Sequence, residues 1–423
     1  MTPFAFFSAL LLLVAVLGIL NERYVKLPHT IGLLAGSLLL SVAVLLVDRA
    51  VDAVDLRAAW RAFVAEMDLP HLFLDGMLAL MLFAGTLHVN LRALRTEKYT
   101  VAALATVSVV LATFLYGFGI YFVLAMKVPL IWCLTLGALL APTDPVAVSG
   151  LLRKAGLPAD QMALVNGESL FNDGVAVVMF SLMLNLASGH SADALSIMGL
   201  FAWETVGGIT LGTVAGWAAY QALRLVDHPT IELTITLAAA CMTYTLAHSL
   251  HMSGPLAVVV TGLIIAHKGT RRAMRPPSRT LVIGFWEVVD ELLNALLFVL
   301  LGFSLLSLEP GQGLIWAAIG GVVLALATRL VSVAIPTFLI HFRGLPPFRT
   351  VAILTWGGLR GGMSIALALT LHDSPYRPNL LAQCYAVVVF TIIVQGLTMP
   401  YLVRWLYPAS RTAEPEPVDP ALH

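Results

Sequence analysis

The sequence predicts an all-α polytopic membrane protein of about thirteen transmembrane helices, and three observations carry that prediction. Of 423 residues, 59% are hydrophobic and only 11% are charged, where a soluble chain carries about 25% charged residues. The apolar residues fall in thirteen long runs separated by short polar or Pro/Gly-marked breaks, each run long enough to cross or nearly cross a bilayer. The Lys and Arg residues alternate by side: 17 lie at one set of loops and chain ends and 5 at the other, with Arg329 and Arg360 inside runs. That bias is a positive-inside signal.

In chain order the runs are 4–20, 31–47, 70–90, 99–126, 129–151, 160–187 and 195–225, then 231–249, 254–268, 280–306, 311–340, 348–371 and 379–406. The first has no basic residue before it and no cleavage-site pattern, so it is expected to be a retained span rather than a signal peptide. The segment 51–69 has the charge pattern of a surface amphipathic helix. The basic-rich loops are expected in the cytoplasm, which places the N-terminus outside and the C-terminus inside. The expected organisation is one membrane domain, 1–407, followed by a short Pro-rich cytoplasmic tail, 408–423. Net charge is zero, which argues against a nucleic-acid partner, since that would call for a basic excess. The three cysteines, Cys133, Cys241 and Cys384, each sit in an apolar run and suggest neither a disulfide framework nor a metal site.

Ionisable groups in mid-membrane are costly, so each is a functional candidate. The fifth run contains Ala141-Pro142-Thr143-Asp144-Pro145. Two prolines three residues apart cannot sit in an unbroken helix, and they free the carbonyls of Ala138 and Ala141. Irregular backbone at that depth must line a cavity or pack within protein. Carbonyl oxygens beside the Asp144 carboxylate are hard ligands suited to a small cation; a proline kink with a capping aspartate is the blander alternative. The sixth run contains Gly167-Glu168-Ser169-Leu170-Phe171-Asn172-Asp173-Gly174. Ser169 and Asp173 share one helical face, and Glu168 and Asn172 the adjoining one. Such a group either forms a site or makes a polar seam between helices. The twelfth run contains Gly357-Gly358-Leu359-Arg360-Gly361-Gly362, which invites unwinding and close helix approach. Arg360 requires an acid, and Glu168 is the expected partner, in a pair whose role is structural or in transport. Broken runs at matching positions, the fifth and the twelfth, point to inverted repeats, spans 1–6 and 8–13 with span 7 as linker.

These three motifs, in this order and spacing, resemble the monovalent cation:proton antiporter family that includes the sodium/proton exchangers, in its bacterial NhaP-type branch. The resemblance covers nearly the whole chain. It implies the sodium/proton antiporter fold with two interrupted crossing helices, and a homodimer in which a six-helix core (spans 4–6 and 11–13) moves against a dimerisation part. It also implies cation and proton binding at Asp173, support from Asp144, the Thr143 carbonyl and Ser169, and a helix-organising Asn172. Glu168 with Arg360 would be the family's ion pair. One departure stands out: several members carry an acid in the third span, where this chain reads Phe83-Ala84-Gly85. Any role of that acid is lost or passes to His88 or Asp75.

Other polar residues read more blandly. Glu287, Asp290, Glu291 and Asn294 open the tenth run, either as an anionic funnel or as an interfacial turn. Arg329 lies mid-run with no assigned partner beyond a weak case for Glu204, and His248 and His251 read as structural or exposed. The expected function is exchange of sodium (or lithium) for protons across the inner membrane by competition at Asp173, for pH homeostasis. Because residue 172 is a neutral asparagine, the exchange is expected to be one for one and electroneutral. No cofactor and no enzymatic step are expected. A potassium/proton antiporter of the same fold is the nearest alternative. A cation channel would need a continuous polar pore or filter motif, and an intramembrane hydrolase built on Asp144 and Asp173 lacks a proteolytic signature.

Overall fold

A computed structural model of the chain describes residues 3–50, 60, 76–87, 89, 98–144, 150, 152–189, 194–307, 314–339, 346–371 and 374–408. The expected surface helix over 51–69 (Trp60 aside), Asp75, His88 and the tail beyond 408 lie outside the described residues. Among the described residues every regular element is helical. The helices are α1 (Pro3–Leu20), α2 (His29–Ala50), α3 (Leu78–Leu87), α4 (Lys98–Val123), α5 (Leu130–Leu139), α6 (Ala159–Ala187), α7 (Ala194–Leu223) and α8 (Pro229–Ser249). They continue with α9 (Gly254–Ile264), α10 (Pro276–Phe303), α11 (Leu314–Leu339), α12 (Pro347–Trp356), α13 (Gly362–Leu369), α14 (Arg377–Phe390) and α15 (Gly396–Leu406).

Each predicted run contains a described helix, and among the described residues eight spans are long and apolar enough to cross a membrane. Several helices begin where proline fits without loss. Pro229, Pro255 and Pro276 occupy first-turn positions, where a missing N–H costs nothing. Ser253 caps α9 by accepting from the Leu256 N–H. The run 379–406 is one path broken into α14 and α15 by a π-helical turn over Thr391–Gln395.

Packing divides the helices into groups. One apolar core draws its buried side chains chiefly from α4, α5, α6 and α11–α15. A second joins α3, α7, α8, α9 and the first half of α10, with Trp286 fully buried against Phe83. A third ties α1 and α2 to the second half of α10. Large apolar side chains on α1, α7 and α11, such as Phe4, Trp217 and Trp316, stay exposed, as expected of surfaces that face lipid rather than water.

Candidate cation and proton site

The site is built on two broken helices that meet. α5 stops at Leu139, and the Ala141 N–H reaches back to the Ala138 carbonyl at 3.2 Å in a tightened last turn. One of the two carbonyls expected to be stranded is therefore satisfied locally. From Ala141 to Asp144 the chain is irregular. The second break separates α12 from α13, residues 357–361. The strands of backbone cross: the Asp144 N–H donates to the Leu359 carbonyl at 2.8 Å. A Cβ on Gly361 would run into the Asp144 carboxylate, so only glycine permits this approach.

Arg360 reaches across the same junction. Its Nη1 donates to the carbonyls of Ala141 at 2.6 Å and Pro142 at 2.9 Å, and its backbone N–H donates to the Thr391 hydroxyl at 3.1 Å. The guanidinium thus takes up the other carbonyl stranded by the prolines and pins the two breaks together.

α6 supplies the second half of the site. Glu168 and Asn172, one turn apart, face the first break: the Asn172 Nδ2 donates to Glu168 Oε1 at 2.8 Å and to the Thr143 hydroxyl at 2.7 Å. The Thr143 N–H lies 3.5 Å from Asn172 Oδ1, and the Thr143 and Ser169 hydroxyls share a hydrogen bond at 3.1 Å. Asn172 therefore clamps α6 to the broken segment, with both ends of its amide engaged.

The expected pairing of Glu168 with Arg360 is corrected by the structure. Glu168 is held by Arg329 of α11, whose Nη1 and Nη2 donate to its two carboxylate oxygens at 2.9 Å each. The pair is almost fully buried, with side-chain exposures of 5% and 1%. The Arg329 Nε donates in addition to the Leu354 carbonyl at 3.2 Å, and a Cβ on Gly358 would meet the guanidinium, which passes close over that backbone. The physical reason is geometric. A fork-shaped donor set suits a carboxylate taken end-on, and α11 presents it so, while Arg360 sits on the broken backbone where two free carbonyls are nearer to hand. Arg329, left unassigned by the sequence reading, thereby gains its partner, and Glu204 is not needed.

Asp144, Asp173, Thr143 and Ser169 all line one cavity of about 370 Å³. Asp173 is partly exposed to it and accepts no hydrogen bond from the described residues. Glu287, Asp290 and Glu291 of α10 line the same cavity, as do Arg153 and Asn166. Asn294 stands behind them, donating to the Asp290 carbonyl and carboxylate at 2.8 and 3.1 Å. The funnel alternative for these acids thus has a geometry. Ala84, where an acid was expected by resemblance, is fully buried, and its neighbour Gly85 lines the cavity. Arg153 and Asn166 were not singled out from sequence, because nothing local distinguishes a cavity-lining polar residue from one at a helix end.

Comparisons with known proteins establish the family. Residues 9–405 match the family described as sodium/hydrogen exchanger, transmembrane. The chain belongs to the sodium/hydrogen exchanger family. Within that family it is 40% identical over 411 residues to the Na(+)/H(+) antiporter NhaP of Pseudomonas aeruginosa, covering 95% of this chain and 96% of that protein. It is 30% identical over 404 residues to the Na(+)/H(+) antiporter NhaH of Halobacillus dabanensis, covering 94% and 96%. Its fold matches the solved structure of the sodium proton antiporter MjNhaP1 of Methanocaldococcus jannaschii with a TM-score of 0.73 over 95% of this chain and 97% of that one, at 18% identity. As a sodium/hydrogen exchanger family member the chain is a multi-pass membrane transporter and not an enzyme.

Proposed function

We propose that this protein exchanges sodium ions for protons by letting the two compete for the Asp173 carboxylate. The observation that carries the reading is the state of that side chain: Asp173, a carboxylate on the clamped stretch of α6 with no donor among the described residues, lines the cavity with Asp144, Thr143 and Ser169. A carboxylate held by donors, as Glu168 is by Arg329, has its lone pairs engaged; Asp173 keeps them for an incoming cation or proton. The hydroxyls of Thr143 and Ser169 and the second carboxylate at Asp144 supply the oxygen-rich surround that a hard cation prefers. The names of the relatives favour sodium over potassium as the cation.

The reading extends to stoichiometry. Asn172 is neutral and its amide is engaged on Glu168 and Thr143, so one carboxylate exchanges its proton for one cation, and transport is electroneutral. The core of six spans, helices α4–α6 and α11–α15, carries the site between the two faces, as the separate apolar core of that group supports, within a homodimer in the inner membrane. The positive-inside bias supports a cytoplasmic mouth for the cavity, where Arg153 and the acids of α10 sit.

The test is proton flux in everted vesicles on addition of sodium, lithium and potassium in turn, followed by sodium-driven flux in proteoliposomes at zero and at strongly negative clamped potential. Flux with sodium that ignores the potential is expected. Flux with potassium alone would overturn the choice of ion, and a severalfold acceleration by the potential would overturn the one-for-one count.

A further inference from the structure

A second polar feature lies inside the helical core, apart from the ion cavity. Tyr116 of α4 and Gln383 of α14 are 2% and 1% exposed, and neither lines the cavity. The Tyr116 hydroxyl and both ends of the Gln383 amide lack a hydrogen-bond partner among the described residues. The two side chains converge on the backbone of α11 at Gly321. A Cβ built there would strike Gln383 Oε1 and would lie 3.2 Å from the Tyr116 hydroxyl. Three buried polar atoms left without partners are costly in a low-dielectric interior.

We propose that Tyr116, Gln383 and the groove at Gly321 form a binding site for ordered water, which joins α4 to α14 across α11. The chemistry fits water in particular. The hydroxyl offers one donor and accepts, and the amide offers two donors and a carbonyl oxygen; a water molecule has donors and acceptors to match each, and buried waters commonly make about three hydrogen bonds. A cation is disfavoured because the amide nitrogen presents donors, not lone pairs, and no carboxylate is among the three groups that meet here. Gly321 lets the two groups approach α11, because the Gln383 amide oxygen lies where a Cβ would stand.

The site is tested by millisecond X-ray radiolysis of the full-length protein in lipid nanodiscs, where bound water is split to hydroxyl radical and oxidises the side chain beside it. Tyr385 is the internal control, since it is similarly buried but donates its hydroxyl to the Gly302 carbonyl. Tyr116 is expected to be oxidised at least fivefold faster than Tyr385. Gln383→Leu and Gly321→Ala should each bring Tyr116 down to the control rate. The wild-type measurement decides even if a variant fails to fold. Equal oxidation of Tyr116 and Tyr385 in the wild type, as a dry site or a direct Tyr116–Gln383 bond would give, overturns the proposal. Oxidation of Tyr116 that is present in choline buffer and lost in sodium overturns it also, because a cation would then occupy the site.

Discussion

Removing one member of the Glu168–Arg329 pair should be among the most damaging single changes in the protein, and removing both should be mild. Arg329→Met leaves a buried carboxylate with only the Asn172 amide as donor. Glu168→Met leaves a buried guanidinium with only the Leu354 carbonyl as acceptor. Breaking such a pair costs about 3–5 kcal/mol. The double variant buries no charge and forfeits the two lesser hydrogen bonds, at about 1 kcal/mol each. The interaction energy in the cycle is therefore expected at roughly 4 kcal/mol or more, above the usual range for groups in one network. With an unfolding entropy near 2 cal/mol/K per residue, each kcal/mol corresponds to about 1 °C in the melting midpoint for a chain of this length. Each single variant should melt about 3–5 °C lower and the double about 2 °C lower, measured on purified protein by intrinsic fluorescence in one detergent. Additive single effects would refute the argument. So would a cycle of Glu168 with Arg360 that shows stronger coupling than the cycle of Glu168 with Arg329.

Three further outcomes are expected. Asp173→Asn should abolish sodium-driven proton movement in everted vesicles while leaving a folded, well-expressed protein; exchange that survives removes Asp173 from the centre of the mechanism. Glu287→Gln, Asp290→Asn and Glu291→Gln combined should raise the apparent KM for sodium severalfold with little change in maximal rate, and added choline chloride should shrink the difference, because screening weakens an acidic funnel. An unchanged KM at low ionic strength would deny these acids that role. Gly361→Ala should lower both transport and melting midpoint, since its methyl group meets the Asp144 carboxylate; a fully active alanine variant would show that the crossing is looser than described.

Much of the fold was legible because membrane solvent imposes long apolar runs, and breaks in them leave marks. The prolines at 142 and 145 and the glycines at 357, 358, 361 and 362 announced both broken helices, and the Asp144–Leu359 contact shows that they meet. The face shared by Ser169 and Asp173 followed from helical periodicity alone, and both line the cavity. The ion pair was not legible. Two arginines lie in mid-membrane, and a choice between partners 161 and 192 residues away along the chain depends on how α11 packs against α6, which no local pattern encodes. The carbonyl acceptors of Arg360 were half legible: the prolines predicted that the Ala141 carbonyl would be free, but not that an arginine would take it. The acids of α10 left two readings open for the same reason, since one turn of glutamates looks alike at an interface and at a cavity mouth.

The corrected pairing fixes where the charges sit at the crossing and leaves their sum unchanged. Glu168 and Arg329 neutralise each other in a bidentate contact, so neither contributes a net charge to the site. Apart from Arg153, Glu287, Asp290 and Glu291, which also line the cavity, the charges beside the two breaks are Arg360, Asp144 and Asp173. With both aspartates ionised these sum to one negative charge, and on the proposed reading Asp173 removes it by taking either a sodium ion or a proton. Both loaded forms are then neutral, and the empty form alone carries a charge. Moving a net charge through a low-dielectric environment is expensive, so the core should cross readily when loaded and poorly when empty. That is the condition for obligatory exchange rather than leak. The same sum would hold had Arg360 been tied to Glu168, but Arg329 would then stand buried on α11 without its acid, and the Ala141 carbonyl freed by the prolines would lose its donor.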